Sequence, residues 1–93
     1  MTPSPEKPER VWRREPRLRT AVLRYLTNES LSNYDVGLIR TYLAMWIESP
    51  YWDAIGVDPD ELKALREAAP RLTTYRDIHG WIEVALDWDL DPL

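Results

Sequence analysis

Tyr42-Leu43-Ala44-Met45-Trp46-Ile47-Glu48-Ser49-Pro50-Tyr51-Trp52-Asp53 joins the end of an apolar helix to a proline and then to two more aromatic residues. Pro50 drives Ser49 out of the α region and so ends the helix before it. Ser49 can cap a new turn with Pro50 at its first position, and Gly56 can close that turn in a left-handed conformation. The spacing predicts a one-turn helix over Tyr51, Trp52, Asp53 and Ala54. Upstream, Ser32 or Asn33 caps a helix running from about Tyr34 to Ser49. On its wheel Val36, Leu38, Ile39, Tyr42, Leu43, Met45, Trp46 and Ile47 fill an arc of about 200°. An apolar arc that wide needs at least two packing partners, which makes this the central helix.

Working outward, the first helix begins near Pro16, which is tolerated in a first turn, and ends at Thr27-Asn28-Glu29-Ser30. Its Leu18, Ala21, Val22, Tyr25 and Leu26 share one face. Asp58-Pro59-Asp60-Glu61 reads as a capping box opening a third helix, with Leu62, Leu65 and Ala69 on its inner face and Pro70 at its end. That helix is short and weakly apolar, so it belongs at the edge. Thr74 caps a fourth helix with Asp77 as its complement. Here Tyr75, Ile78, Trp81, Ile82, Val84, Ala85, Leu86 and Trp88 form a second arc of about 200°, expected to pack on the central helix. The fold class is all-α: a small compact helical bundle of about four helices plus the one-turn helix after Pro50. Residues 1–15, with Pro3, Pro5 and Pro8 and no apolar period, are expected to form a flexible basic arm. Residues 16–93 form a single helical domain. Trp12, the arm's only large apolar anchor, should pack back on the domain or onto a partner.

The chain has 93 residues, no cysteine, no phenylalanine, and five tryptophans beside five tyrosines. One small core without disulfide or thiolate metal sites must therefore supply its stability. Neither a signal-peptide run nor a stretch of about 18 apolar residues is present, so a cytoplasmic, membrane-independent protein is expected. Charge is split. Residues 1–24 carry seven basic and three acidic side chains, whereas the remaining 69 carry five and 13. A basic head and an acidic tail can attract each other within one molecule or between molecules.

No catalytic, cofactor or metal signature emerges. His79 and Glu83 have a ligand-like i, i+4 spacing but lack further ligands, and the pair reads as a surface contact. Asp87-Trp88-Asp89-Leu90-Asp91 mimics the start of a calcium loop without its glycine or its final glutamate. The third and fourth helices resemble a helix-turn-helix, but the second of them exposes His79, Glu83 and Asp87, the wrong sign for phosphate. There is no nucleophile beside a base and no glycine-rich phosphate loop. The expected function is therefore non-enzymatic and needs no cofactor: a protein-binding or regulatory module that docks on a larger protein or on itself as a homo-oligomer. Candidate docking residues are Trp12, Arg13, Arg14 and Arg17 of the basic head, Tyr51, Trp52 and Asp53 after the proline, and the terminal Asp87, Asp89 and Asp91. Trp46, Tyr51 and Trp52 read first as core filling, with an exposed aromatic anchor for a partner as the rival. Two alternatives stand beside docking. One is nucleic-acid binding through the arm, with arginines on phosphates and Trp12 on a base. The other is an acidic decoy for the basic groove of a nucleic-acid-handling enzyme.

Overall fold

The computed structural model describes residues 5–93; residues 1–4, part of the expected arm, lie outside the described residues. Five α-helices follow in order: α1 (Pro16–Leu26), α2 (Asn33–Ile47), α3 (Tyr51–Ala54), α4 (Pro59–Ala68) and α5 (Tyr75–Asp87). Short 3-10 turns at Val11–Arg13 and Ala69–Arg71 precede α1 and follow α4. No strand occurs among the described residues. The chain is thus an all-α bundle of four helices plus a single helical turn after Pro50. None of these helices is long and apolar enough to cross a membrane.

Local chemistry explains the boundaries. The Ser32 hydroxyl accepts the Asp35 N–H at 3.0 Å while the Asp35 carboxylate accepts the Ser32 N–H at 3.1 Å, which fixes the start of α2. Thr74 and Asp77 repeat the arrangement at α5, at 3.1 and 3.2 Å, satisfying donors that a helix start leaves unpaired. At α4 the expected reciprocal pair does not form. Asp58 instead accepts the nearer Asp60 N–H at 3.0 Å, because a short aspartate side chain closes most readily on the amide two residues ahead. Pro70 also does not end the helix abruptly, since its fixed φ suits the tighter 3-10 turn that continues α4 to Arg71.

Three helices end in the same motif. At α1, α3 and α5 the residue after the cap is left-handed: Asn28 at φ 59°, Gly56 at 84° and Asp89 at 60°. In α5 the Asp89 N–H bonds to Leu86 and the Leu90 N–H to Ala85, both at 2.9 Å. This pairing satisfies the last carbonyls and reverses the chain. The reversal carries Leu90 and Pro92 into the core, where both are fully buried.

α2 is central, packing on α1, α4, α5 and the Ala69–Arg71 turn. Trp46 and Trp81 are both buried, so the two apolar stripes meet. Each stripe is narrower than its wheel arc. Met45 is 69% exposed on α2, and Val84 and Trp88 are 42% and 41% exposed at α5. The ten-residue α4 is too short and too polar to cover these flanks.

The packed structure also reaches back beyond Pro16. Trp12 is only 6% exposed and belongs to the same buried cluster as Leu18, Tyr42 and Leu90. The chain ends are clasped together there. The Arg10 Nε–H donates to the Asp91 carbonyl at 3.2 Å, and its Nη2 lies 3.4 Å from the Asp91 carboxylate. Arg13 reaches the Leu93 carbonyl at 3.4 Å, and the Tyr42 hydroxyl donates to the Pro92 carbonyl at 2.6 Å. The intramolecular attraction of basic head and acidic tail is therefore what the fold contains.

One buried carboxylate gives a pH prediction. Burial pushes the Asp35 carboxyl up, but the Ser32 N–H and hydroxyl and the Arg24 guanidinium, 3.1 Å away, together hold it below its ordinary 3.8. A depressed native value adds stability above the unfolded value, and that stability disappears as pH falls through the native one. Denaturant midpoints should be level above about pH 5 and fall below about pH 4. Asp35→Asn should be less stable at neutral pH with a shallower acid limb; an unchanged limb would contradict the assignment.

Candidate docking surface

The sequence-predicted site residues occupy separate places, and several are structural. Trp12 and Trp52 are corrections: at 6% and 2% exposure neither can serve as a docking anchor. Trp52 packs against Trp46 with the ring centroids 4.5 Å apart and the planes tilted by 51°, and it donates its Nε1–H to the Trp46 carbonyl at 2.9 Å, so the Pro50 turn folds its second aromatic under α2. Tyr51 is half-buried, edge-on to Trp52 at 5.1 Å. Asp53, the third candidate after the proline, is tied up within the chain. Arg66 grips both its oxygens, at 3.2 and 2.8 Å, and also donates to the Ile47 and Ser49 carbonyls at 2.9 and 3.1 Å. That one guanidinium ties α4 to the α2–α3 corner and holds the Asp53 carboxyl below its usual range.

Among the arm arginines, Arg13 lies over the Trp12 ring at 5.4 Å, Arg14 pairs with Glu9 at 2.8 Å, and Arg17 meets the Tyr34 hydroxyl at 3.4 Å. Asp91 is taken up by Arg10. Asp89 serves the left-handed turn. Asp87 is exposed, with no hydrogen-bond or ion-pair partner among the described residues.

His79 is more engaged than its sequence spacing implied. Its Nε2 lies 2.9 Å from Glu83, and its Nδ1 lies 3.1 Å from the Tyr25 hydroxyl, 54 residues away. Burial, with Tyr75 and Glu83 nearby, pushes the Tyr25 phenol up to about 12. The phenol therefore stays protonated at neutral pH, and this chain links α1 to α5 rather than activating a nucleophile. No group of three or more metal-ligating side chains occurs among the described residues.

What sequence reasoning missed is an open groove of about 740 Å³ between α4 and α5. The exposed Ala64 and Ala68 of α4 face Gly80 and Val84 of α5 across it. Trp81 forms the floor and sets the helix spacing, donating its Nε1–H to the Leu65 carbonyl at 2.9 Å. Arg71 and Arg76 stand on the rim, both exposed and neither with a partner among the described residues. Asp77 is engaged in capping, with the N–H and hydroxyl of Thr73 and those of Thr74 holding it below its ordinary value. Apolar small side chains under a pair of guanidiniums suit an occupant that offers an aliphatic ridge and a carboxylate. They do not make an acid–base pair. The available signal was the small-residue spacing Ala64, Ala68 beside Gly80, Val84, which an apolar wheel scores as weak helix rather than as groove.

Gly80 is unusual within this groove. It sits mid-helix, and a Cβ there would meet nothing within 4 Å. Glycine costs an interior helical position about 0.5–1 kcal/mol relative to alanine. Gly80→Ala should therefore stabilise the isolated chain by about that amount in denaturant unfolding; a loss of stability would show that the chain itself needs the glycine.

Comparison with protein-family models, with curated proteins and with solved structures finds no match to this chain.

Proposed function

We propose that the chain is a small, non-enzymatic, cytoplasmic docking module that engages a protein surface through the α4/α5 groove and the exposed flank of α5. The observation that carries this reading is the groove itself: apolar side chains left open beside two arginines that have no partner among the described residues. Exposed apolar surface framed by charge is the usual anatomy of a recognition patch. Docking is a better fit than chemistry here, because the titratable groups around the groove are guanidiniums, one exposed glutamate and a capping aspartate.

The nucleic-acid alternative has less support. Arg10, Arg13, Arg14 and Arg24 are already held by acceptors of the same chain, and Trp12 is buried where no base can stack on it. The acidic-decoy alternative loses Asp91 to Arg10 and keeps Asp87 and Asp89. The test is site-specific photo-crosslinking in the native lysate, with the reactive group placed at Val84 or, as a control on the far side, at Thr20. Protein adducts formed at position 84 and not at 20 are expected. Absence of adducts at 84, or equal labelling at both positions, would count against the groove.

A further inference from the structure

We infer that the α5 face bearing Arg76, Gly80 and Asp87 pairs with the same face of a second copy of this chain. The two α5 helices would run antiparallel about a two-fold axis near residues 81 and 82. This rests on the docking reading above and names its occupant.

Three residues on that face are each unfavourable in the isolated chain. Arg76 places a cation in the first turn of α5, and Asp87 places an anion in its last turn. Both charges oppose the helix dipole. Neither has a hydrogen-bond or ion-pair partner among the described residues. Between them Gly80 weakens the helix, and among the described residues nothing occupies the space its missing side chain leaves. At 100° per residue the three positions fall within about 40° of one another on the exposed side. They form one stripe.

An antiparallel copy relieves all three together. Arg76 and Asp87 lie eleven positions apart, about 16 Å along the axis. A two-fold axis midway sets Arg76 of each copy beside Asp87 of the other and makes two equal pairs. Such self-complementarity is what an isologous interface requires. Gly80, near the crossing, lets the helix backbones approach closely. The carboxylate that could obstruct the crossing is Glu83, and its 2.9 Å bond to His79 draws it to the flank away from Val84. Val84 and Trp88, each about two-fifths exposed, supply apolar contact on the other flank, continuous with the groove.

The test is sedimentation equilibrium at low ionic strength from about 1 µM to about 1 mM. Wild type, Arg76→Asp, Asp87→Arg, the combined variant and Gly80→Gln are compared. Either charge change gives α5 the sign its own dipole favours, so weakened pairing cannot be ascribed to a damaged fold. A wild-type dimer is expected, with each single change weakening it by about tenfold or more and the combined swap restoring it. Gly80→Gln should weaken the dimer while raising the thermal midpoint. A wild type that stays monomeric throughout, or a combined variant as weak as the singles, overturns the inference. Monomer together with foreign adducts at position 84 would end the self-pairing and leave the docking reading standing. A monomeric wild type with no adducts at 84 would remove both.

Discussion

Replacing Trp12 with alanine should cost about 3 kcal/mol, although the residue lies in a proline-containing, highly charged segment that reads as an arm. Burying and then deleting an indole usually costs about 3–5 kcal/mol. The lower end applies because the buried Trp12 Nε1–H finds no acceptor among the described residues, and an unsatisfied donor penalises the native state. For a domain of this length the total stability is of the order of 5–14 kcal/mol, so the loss is a large part of it. Trp12→Phe keeps most of the apolar area and removes the orphan donor, and should stay within about 1 kcal/mol of wild type. Urea unfolding of the two variants checks this. Equal, negligible effects would mean that the Val11–Arg13 turn does not hold the tail bearing Leu90 and Pro92.

Arg66→Ala should cost about 3 kcal/mol, for a different reason. Its guanidinium serves the Ile47 carbonyl, one of those a helix terminus leaves without a partner, and the Ser49 carbonyl just beyond, which also accepts the Trp52 N–H at 3.4 Å. Charge-assisted bonds of this kind are worth about 1.5–3 kcal/mol each. The pair with Asp53 adds less, because Asp53 remains 58% exposed and solvent screens it. Asp53→Asn should therefore be far milder than Arg66→Ala. Arg66→Lys should not rescue, since an ammonium cannot fork to two carbonyls and a carboxylate at once. Because α4 also forms one wall of the groove, Arg66→Ala should loosen docking along with the fold. If Asp53→Asn proved as damaging as Arg66→Ala, the ion pair and not the carbonyl clamp would be the main contribution.

Much of the fold was legible because it is written in local chemistry. The caps Ser32 and Thr74, the stop at Pro50, the left-handed Gly56 and the stripes around Trp46 and Trp81 each act within a few residues, and all stand in the structure. The misreadings are long-range. Trp12 packs back on the domain, one of the two outcomes its place in the arm allowed, and the choice between them was set by a tail that returns from about 80 positions away. Asp53, expected as a docking residue, is gripped by Arg66, 13 residues on. Val84 and Met45 sit inside wide apolar arcs, and a wheel cannot tell which edge of an arc a short neighbour will leave uncovered. The groove was illegible for the same reason, being made of what α4 fails to cover. Gly80 and the charges of Arg76 and Asp87 carry no signal in a sequence window; what sets them apart is that they have no partner among the described residues.

Backbone amide chemical shifts recorded while the wild-type protein is concentrated from about 1 µM to about 1 mM probe the central claim directly, that this molecule pairs with a second copy of itself through the exposed side of α4 and α5. The expected result is progressive shift change confined to residues 64–71 and 76–88, with α1 and the Val11–Arg13 turn unmoved. Changes centred on α1, or none anywhere over that range, would contradict it.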